Sequence, residues 1–258
     1  MIIDTHIHLY DDRYLENLEE IIEEAKEKDV KKMIIVGYDY PSSIKAIKLA
    51  EKYDGFYAAV GVHPSEVHKL ENDDLSWIEE LLKHQKVVSI GEIGLDYYWS
   101  KEHMDLQKEI FIKQIKIAQA NNLPIIVHSR DASNDTYQIL KDNRVAGVLH
   151  CYSQSSEMAK EYVKLGYYLG IGGVLTFKNS KEIKEVVKEI ELKYLVIETD
   201  GPYLAPHPFR GKLNKPAYLT YVIDEMARIK DMSYEDIKVI LEQNTKDLFG
   251  IWGTYEKD

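Results

Sequence analysis

Two histidines one residue apart, His6 and His8, close the first apolar run of the chain, Ile2–Leu9. Alternate residues of a strand point to the same side, so both imidazoles would face one way. The pattern recurs down the sequence. The apolar runs Phe56–His63 and Val87–Glu92 end in His63 and Glu92, Pro124–Ser129 and Ala146–Cys151 carry His128 and His150 near their ends, and Tyr194–Asp200 ends in Asp200. Imidazole nitrogens and carboxylate oxygens are the donors of first-row metal sites, and divalent ions activate water for hydrolysis. Each residue alone has an ordinary reading as a half-buried polar side chain, a structural ion pair or a core histidine. Their repetition at successive strand ends does not, because burying so many polar groups without a cation leaves costly unpaired donors and acceptors. Four imidazoles and two carboxylates therefore point to a metal centre, binuclear by the number of donors.

The elements that would position these residues are short runs rich in Ile, Val, Leu and Tyr, the pattern of parallel strands covered on both faces. The remaining runs are Met33–Tyr38 and Tyr167–Ile171, which brings the strands to eight. Amphipathic stretches lie between them, among them Leu15–Lys28 and Leu106–Ala120, and a C-terminal helix is expected near Ser233–Gln243. This alternation predicts an α/β protein, a single (β/α)8 TIM barrel over residues 1–258, in which the C-terminal strand ends converge on one face. An open doubly wound sheet is disfavoured because no glycine-rich phosphate loop follows the first strand. The stretch Gly201–Pro216 holds four prolines and reads as a stiffened rim loop after the last strand.

The chain has 258 residues with 33 basic and 44 acidic side chains, a net charge of −11. Such a balance argues against broad electrostatic coating of nucleic acid or anionic lipid, and favours a grip concentrated at metal ions. No run approaches the ~20 apolar residues of a membrane helix, and no secretory signal is evident. The single cysteine, Cys151, excludes an internal disulfide framework and suits the cytoplasm.

In order, the chain carries Ile3-Asp4-Thr5-His6-Ile7-His8, Gly61-Val62-His63-Pro64, Ile90-Gly91-Glu92-Ile93-Gly94-Leu95-Asp96-Tyr97-Tyr98, Val127-His128-Ser129-Arg130-Asp131, His150-Cys151-Tyr152-Ser153, Gly173-Val174-Leu175-Thr176-Phe177-Lys178, Glu198-Thr199-Asp200 and Arg210-Gly211-Lys212. In these motifs it resembles the TatD family of metal-dependent hydrolases, within the amidohydrolase-like barrels. The resemblance implies two divalent ions bridged by Glu92, with His6, His8 and Asp200 on one and His128 and His150 on the other. It also implies deoxyribonuclease activity, of the 3′-exonuclease kind in some members. Small departures fall outside the ligands: Gln154 where Gly is common, Lys215 where an acid often precedes proline, and Gly201 where Ala is common.

The expected function is hydrolysis of phosphodiester bonds in single-stranded or frayed DNA, with no membrane and no obligate protein partner. Asp200 is the candidate for orienting the nucleophile and moving its proton. His63 is read either as a contact to phosphate or proton donor to the leaving alcohol, or as a turn residue held by Pro64. Arg130 and Arg210 are expected to grip phosphate, with Lys178 and Lys212 nearby. Tyr97, Tyr98 and Trp99 would stack on a base or pack over the barrel top, and Cys151 is expected in the core. Zn, Mn and Mg all remain open as the metal, although imidazole ligands disfavour Mg. Two other readings keep the same ligands: hydrolysis of an acyl or amide bond, such as D-aminoacyl-tRNA deacylation, and metal binding without turnover.

Overall fold

The computed structural model describes residues 1–98 and 101–251. Eight parallel strands follow one another in order: β1 (Ile2–Ile7), β2 (Val30–Val36), β3 (Phe56–Val60), β4 (Val87–Asp96), β5 (Ile125–Arg130), β6 (Gly147–Leu149), β7 (Tyr168–Ile171) and β8 (Leu195–Ile197). A parallel bridge between Ile7 and Gly201 joins the first strand to the segment after the last, and helices intervene all round. The result is a single (β/α)8 barrel, as the alternation of apolar runs requires.

The barrel interior is filled by one inward-facing residue or two from most strands, including Ile3, Ile34, Ala59, Val88, Ile126, Val148 and Val196. Leu248 and Phe249, at the end of the last helix, pack into the same cluster and close it. Outward-facing strand residues such as Ile7, Ile35 and Ile90 pack against the helices in a second, larger cluster. Alternation within each strand thus divides the apolar residues between filling the barrel and holding the helical shell.

Several boundaries differ from the sequence reading. The stretch expected as one helix over Leu15–Lys28 is two, Asp12–Leu15 and Leu18–Glu27, and Leu15 is 56% exposed at the break. The second helix still buries Ile21, Ile22 and Ala25 at helical spacing. The C-terminal helix runs over Tyr234–Phe249, and its N-cap Ser233 accepts the Asp236 N–H at 3.1 Å. Strand β4 runs four residues past Glu92, whereas β8 stops three residues short of Asp200. Among the described residues no helix is long and apolar enough to cross a membrane.

Two irregularities of register matter for the site. The pairing of β1 with β2 shifts between Asp4 and Ile7, around His6, and that of β4 with β5 shifts between Ile90 and Ile93, around Glu92. Local departures from a regular ladder re-aim side chains. Here they occur where the chain must turn a polar residue into the barrel mouth.

Candidate metal centre

Behind His6, the buried carboxylate of Asp4 joins β1 to the segment after β8. Its Oδ1 accepts the Thr199 N–H at 2.9 Å and the His6 N–H at 3.2 Å, and its Oδ2 accepts the Thr199 hydroxyl at 2.6 Å. The next residue, Asp200, donates its N–H to the His6 carbonyl at 2.9 Å, and His8 donates to the Gly201 carbonyl at 2.8 Å. Asp200 sits at φ +52°, a left-handed conformation that aspartate tolerates better than most residues.

This stitching creates a first donor set. The Nε2 atoms of His6 and His8 are 3.3 Å apart, and Glu92 Oε2 lies 3.4 Å and 3.7 Å from them. Asp200 Oδ1 is 3.9 Å from His6 Nε2 and 3.7 Å from His8 Nε2. Tetrahedral ligands held ~2.0–2.2 Å from one divalent ion stand roughly 3.3–3.6 Å from each other. The other carboxylate oxygen of Glu92 belongs to a second set: Oε1 is 2.8 Å from His128 Nδ1, 3.1 Å from His150 Nε2 and 3.5 Å from His63 Nε2.

The outer contacts fix which nitrogens carry hydrogen. His8 Nδ1 donates to the Val36 carbonyl at 2.8 Å, which leaves a lone pair on Nε2. His128 Nε2 donates to Asp96 Oδ2 at 3.0 Å, so the Nδ1 facing Glu92 is also a lone pair. Two acceptors 2.8 Å apart repel unless a proton or cation joins them. His63 is the reverse case. Its Nδ1 accepts the Ser65 N–H at 3.1 Å, so Nε2 bears the hydrogen and points it at Glu92 as a donor. His63 is therefore both a turn-capping residue and a site residue, and its capping bond unsuits it as a metal ligand through Nε2.

Buried side-chain atoms without a hydrogen-bond partner include His6 Nδ1, His128 Nδ1, His150 Nδ1 and Glu198 Oε2. Burial opposes ionisation of Glu92, yet the surrounding imidazoles, His150 foremost, hold its carboxyl well below the usual range. Burial likewise opposes charge on His128 and His150, but the carboxylates of Asp96, Glu92 and Glu198 outweigh it and raise both imidazoles above 6.5. Burial pushes His6 down to about 3, and the neighbouring His150 adds to the effect; the two rings stack at 4.0 Å. A site that draws positive charge onto two imidazoles beside one carboxylate is suited to a divalent cation, which supplies the charge in place of protons. The donor set and its spacing fit such a cation.

Three contributors escaped the sequence reading as site residues. Asp96 orients His128, and its own backbone is held by Gln107, whose amide oxygen accepts the Asp96 N–H at 2.8 Å and whose amide nitrogen donates to the Asp96 carbonyl at 3.0 Å. Glu198, fully buried, lies 3.3 Å from His150 Nδ1 and accepts the Cys151 N–H. It has room because residue 170 is glycine: a Cβ there would collide with Glu198 Oε2. Carboxylates behind metal-binding imidazoles are a general device for fixing ring orientation. A strand limit drawn at Glu92 hid the first of these carboxylates, and the salience of Asp200 hid the second.

The family model for TatD related DNase matches residues 3–250. The chain belongs to the TatD family. It is 49% identical to YabD of Bacillus subtilis, named an uncharacterized metal-dependent hydrolase, over 97% of this chain and 100% of that one. It is 35% identical to YcfH of Escherichia coli K12, which bears the same description, over 97% of this chain and 96% of that one. Among solved structures it is similar to YJJV, a TatD homolog from Escherichia coli, with a TM-score of 0.92 and 30% identity over 97% and 98% of the two chains. These relationships, with the donor clusters, make it a metal-dependent hydrolase of the TatD family.

The departures from the usual TatD motifs have local explanations. A Cβ at Gly201 would collide with the Tyr14 hydroxyl, which itself donates to the Asn214 carbonyl at 2.7 Å. Gln154 reaches the Ser129 hydroxyl at 3.3 Å, and Lys215 pairs with Glu24 at 2.8 Å on the helical shell. On the rim, Arg130 lies over the Tyr98 ring at 3.7 Å and Arg210 over Phe177 at 4.6 Å. Lys178 and Lys212 are exposed. Tyr97 is a packing residue, buried with its hydroxyl donating to Asp135 at 2.8 Å, and Trp99 lies outside the described residues. Cys151 is half-buried rather than core, and burial pushes its thiol well up, away from the thiolate a nucleophile needs. Burial also lowers His63 to about 3, so it is neutral near pH 7. A neutral ring at that pH is a hydrogen-bond donor through Nε2, not an imidazolium acid.

Proposed function

We propose that this TatD protein is a two-metal phosphodiesterase that removes nucleotides from a single-stranded or frayed DNA end in the cytoplasm, without an obligate protein partner. The observation that carries the reading is the division of Glu92, whose Oε2 faces His6 and His8 while Oε1 faces His128 and His150. A carboxylate with each oxygen committed to a different donor set is built to bridge two cations. His6, His8 and Asp200 would hold one and His128 and His150 the other, Zn or Mn suiting the imidazole-rich set better than Mg. Two such ions supply Lewis acidity toward phosphoryl oxygens and hydroxide at neutral pH.

The chain's own groups do the rest. Asp200, which would hold the first ion through one oxygen, keeps the other to take a proton from the attacking water and return it. His63, hydrogen on Nε2, would donate to a phosphate oxygen on the side of the second set. Arg210, laid on Phe177 at the rim, would orient the phosphate entering from the β7–β8 side.

The test is turnover by metal-reconstituted protein on end-labelled single-stranded DNA, run beside an aminoacyl-tRNA and a p-nitrophenyl ester. A ladder shortening from one end, abolished by chelation and by Glu92→Ala, is expected. Inert DNA with a cleaved aminoacyl or ester bond would move the activity to acyl bonds.

A further inference from the structure

The barrel mouth carries aromatic rings that the ligand set does not use. Tyr38 follows β2, with its N–H donated to Ser42 Oγ at 2.9 Å and its carbonyl receiving the His63 N–H at 2.9 Å. Its backbone is thus fixed between the helix that follows, Tyr40–Lys52, and the segment after β3. Its ring stands edge-on to His8, centroids 6.1 Å apart, and is held 39% exposed. Tyr203 occupies the other flank. It donates its N–H to the Asp200 carbonyl at 2.9 Å and is 49% exposed. One partly exposed ring therefore stands beside His8, also touching Tyr10, and a second is carried on backbone bonded to Asp200.

The charges around them discriminate between ligands. The Arg13 guanidinium lies over Tyr203, 4.5 Å from its centroid, but Asp11 takes it with two hydrogen bonds of 2.7 Å and 2.9 Å. That pairing cancels most of its charge, so a phosphate gains little there, whereas a neutral planar group gains ring surface. Arg210 has no carboxylate partner among the described residues and keeps its charge for phosphate. The mouth is divided accordingly, with ring surface beside β1 and β2 and an unpaired cation toward β7.

We propose that Tyr38 and Tyr203, backed by Arg13, form a stacking subsite for an unpaired nucleobase next to the His8 and Asp200 side of the centre. The inference rests on the phosphodiesterase reading and adds what the enzyme recognises. Stacking uses the π-face common to every base, so the subsite confers little sequence preference. A base inside a duplex has both faces covered, so the subsite selects single strands and frayed ends.

The test is calorimetric binding of dAMP and of 2-deoxyribose 5-phosphate, its counterpart without a base, to the metal-loaded protein. The wild type is expected to prefer dAMP by about tenfold or more, as base stacking on aromatic side chains allows. Tyr38→Ala and Tyr203→Ala should each cut dAMP affinity by roughly five- to tenfold and leave sugar-phosphate affinity unchanged, while the Phe variants keep the preference. Equal wild-type affinity for the two ligands, a preference surviving in both Ala variants, or parallel loss of both ligands would overturn the subsite. DNA turnover measured alongside separates the two claims. Turnover without a dAMP preference removes the subsite alone, and a dAMP preference without turnover removes the phosphodiesterase reading alone.

Discussion

The side-chain amide of Gln114 pairs with the backbone of Val62 as a neighbouring strand would. Its oxygen accepts the Val62 N–H at 2.7 Å, and its nitrogen donates to the Val62 carbonyl at 3.1 Å. Seven residues earlier on the same helix, Met104–Asn121, Gln107 does the same to Asp96. Two turns of helix separate the glutamines, which puts both on its buried face. One holds the residue before His63, and the other holds the carboxylate that orients His128. A single helix thereby sets both sides of the second donor set.

Replacing Gln114 with Ala would leave the Val62 N–H and carbonyl buried without partners. Each unpaired group costs ~1–3 kcal/mol, so a loss of about 2–6 kcal/mol in unfolding free energy is expected. Urea denaturation of the metal-free protein measures it. A loss under about 0.5 kcal/mol would mean that water replaces the amide.

Asp96→Ala removes the partner of His128 Nε2 and frees that ring to turn. Loss of a carboxylate behind a metal-binding imidazole typically costs 10–100-fold in metal affinity, so in the proposed two-ion centre the ion at His128 and His150 should weaken by about that factor while the one at His6, His8 and Asp200 should not. Titration with Zn or Mn followed by metal analysis resolves the two. Equal weakening of both ions would show that Asp96 supports the whole mouth rather than one ring.

Metal binding should also depend on pH in a defined direction. His128 and His150 have folded pKa values above 6.5, so in metal-free protein they hold protons that a cation must displace. Their stabilising contribution is complete below 6.5 and is lost as pH rises through the raised values; Asp4, pushed up by burial to about 7, acts in the same sense up to that pH. The melting temperature of metal-free protein is therefore expected to fall as pH climbs above 6.5, and bound Zn or Mn should cancel the fall. Proton release on loading, read from calorimetry in buffers of different ionisation enthalpy, gives a second measure. A flat melting profile with no proton release would refute the linkage.

The candidate donors were legible in the sequence because a polar residue that ends an apolar strand has few other reasons to be there, and a parallel barrel gathers strand ends on one face. Asp96 and Glu198 were not, for different reasons. Asp96 falls on an extension of β4 that continues past a register shift at Glu92, where Gly94 separates the apolar Ile93 and Leu95 and reads as a turn. Glu198 lies two residues before Asp200 and needs the empty space over Gly170, a complementarity between two strands that no local pattern encodes. Gln107 and Gln114 read as polar residues on an amphipathic helix; only tertiary contact turns them toward backbone. The break at Glu16–Asn17 was hidden for the opposite reason, because Leu15 continues the helical spacing yet ends on the surface.

Asp200→Asn tests the proton role most directly. The amide keeps the size of the side chain and one oxygen, and the Asp200 backbone bonds to His6 and Tyr203 do not depend on the carboxylate. Folding and the melting temperature should therefore change little, whereas kcat should fall by about 10²–10⁴-fold, the usual contribution of general acid–base catalysis. In metal-free protein the Asp200 carboxyl is raised to about 6, chiefly by burial; a bound cation favours the carboxylate, so the acidic limb of kcat/KM should fall below pH 6 and should vanish from the residual activity of Asp200→Asn. A variant retaining most of its turnover, or one that keeps the same acidic limb, would assign the proton to another group and leave Asp200 as a ligand only.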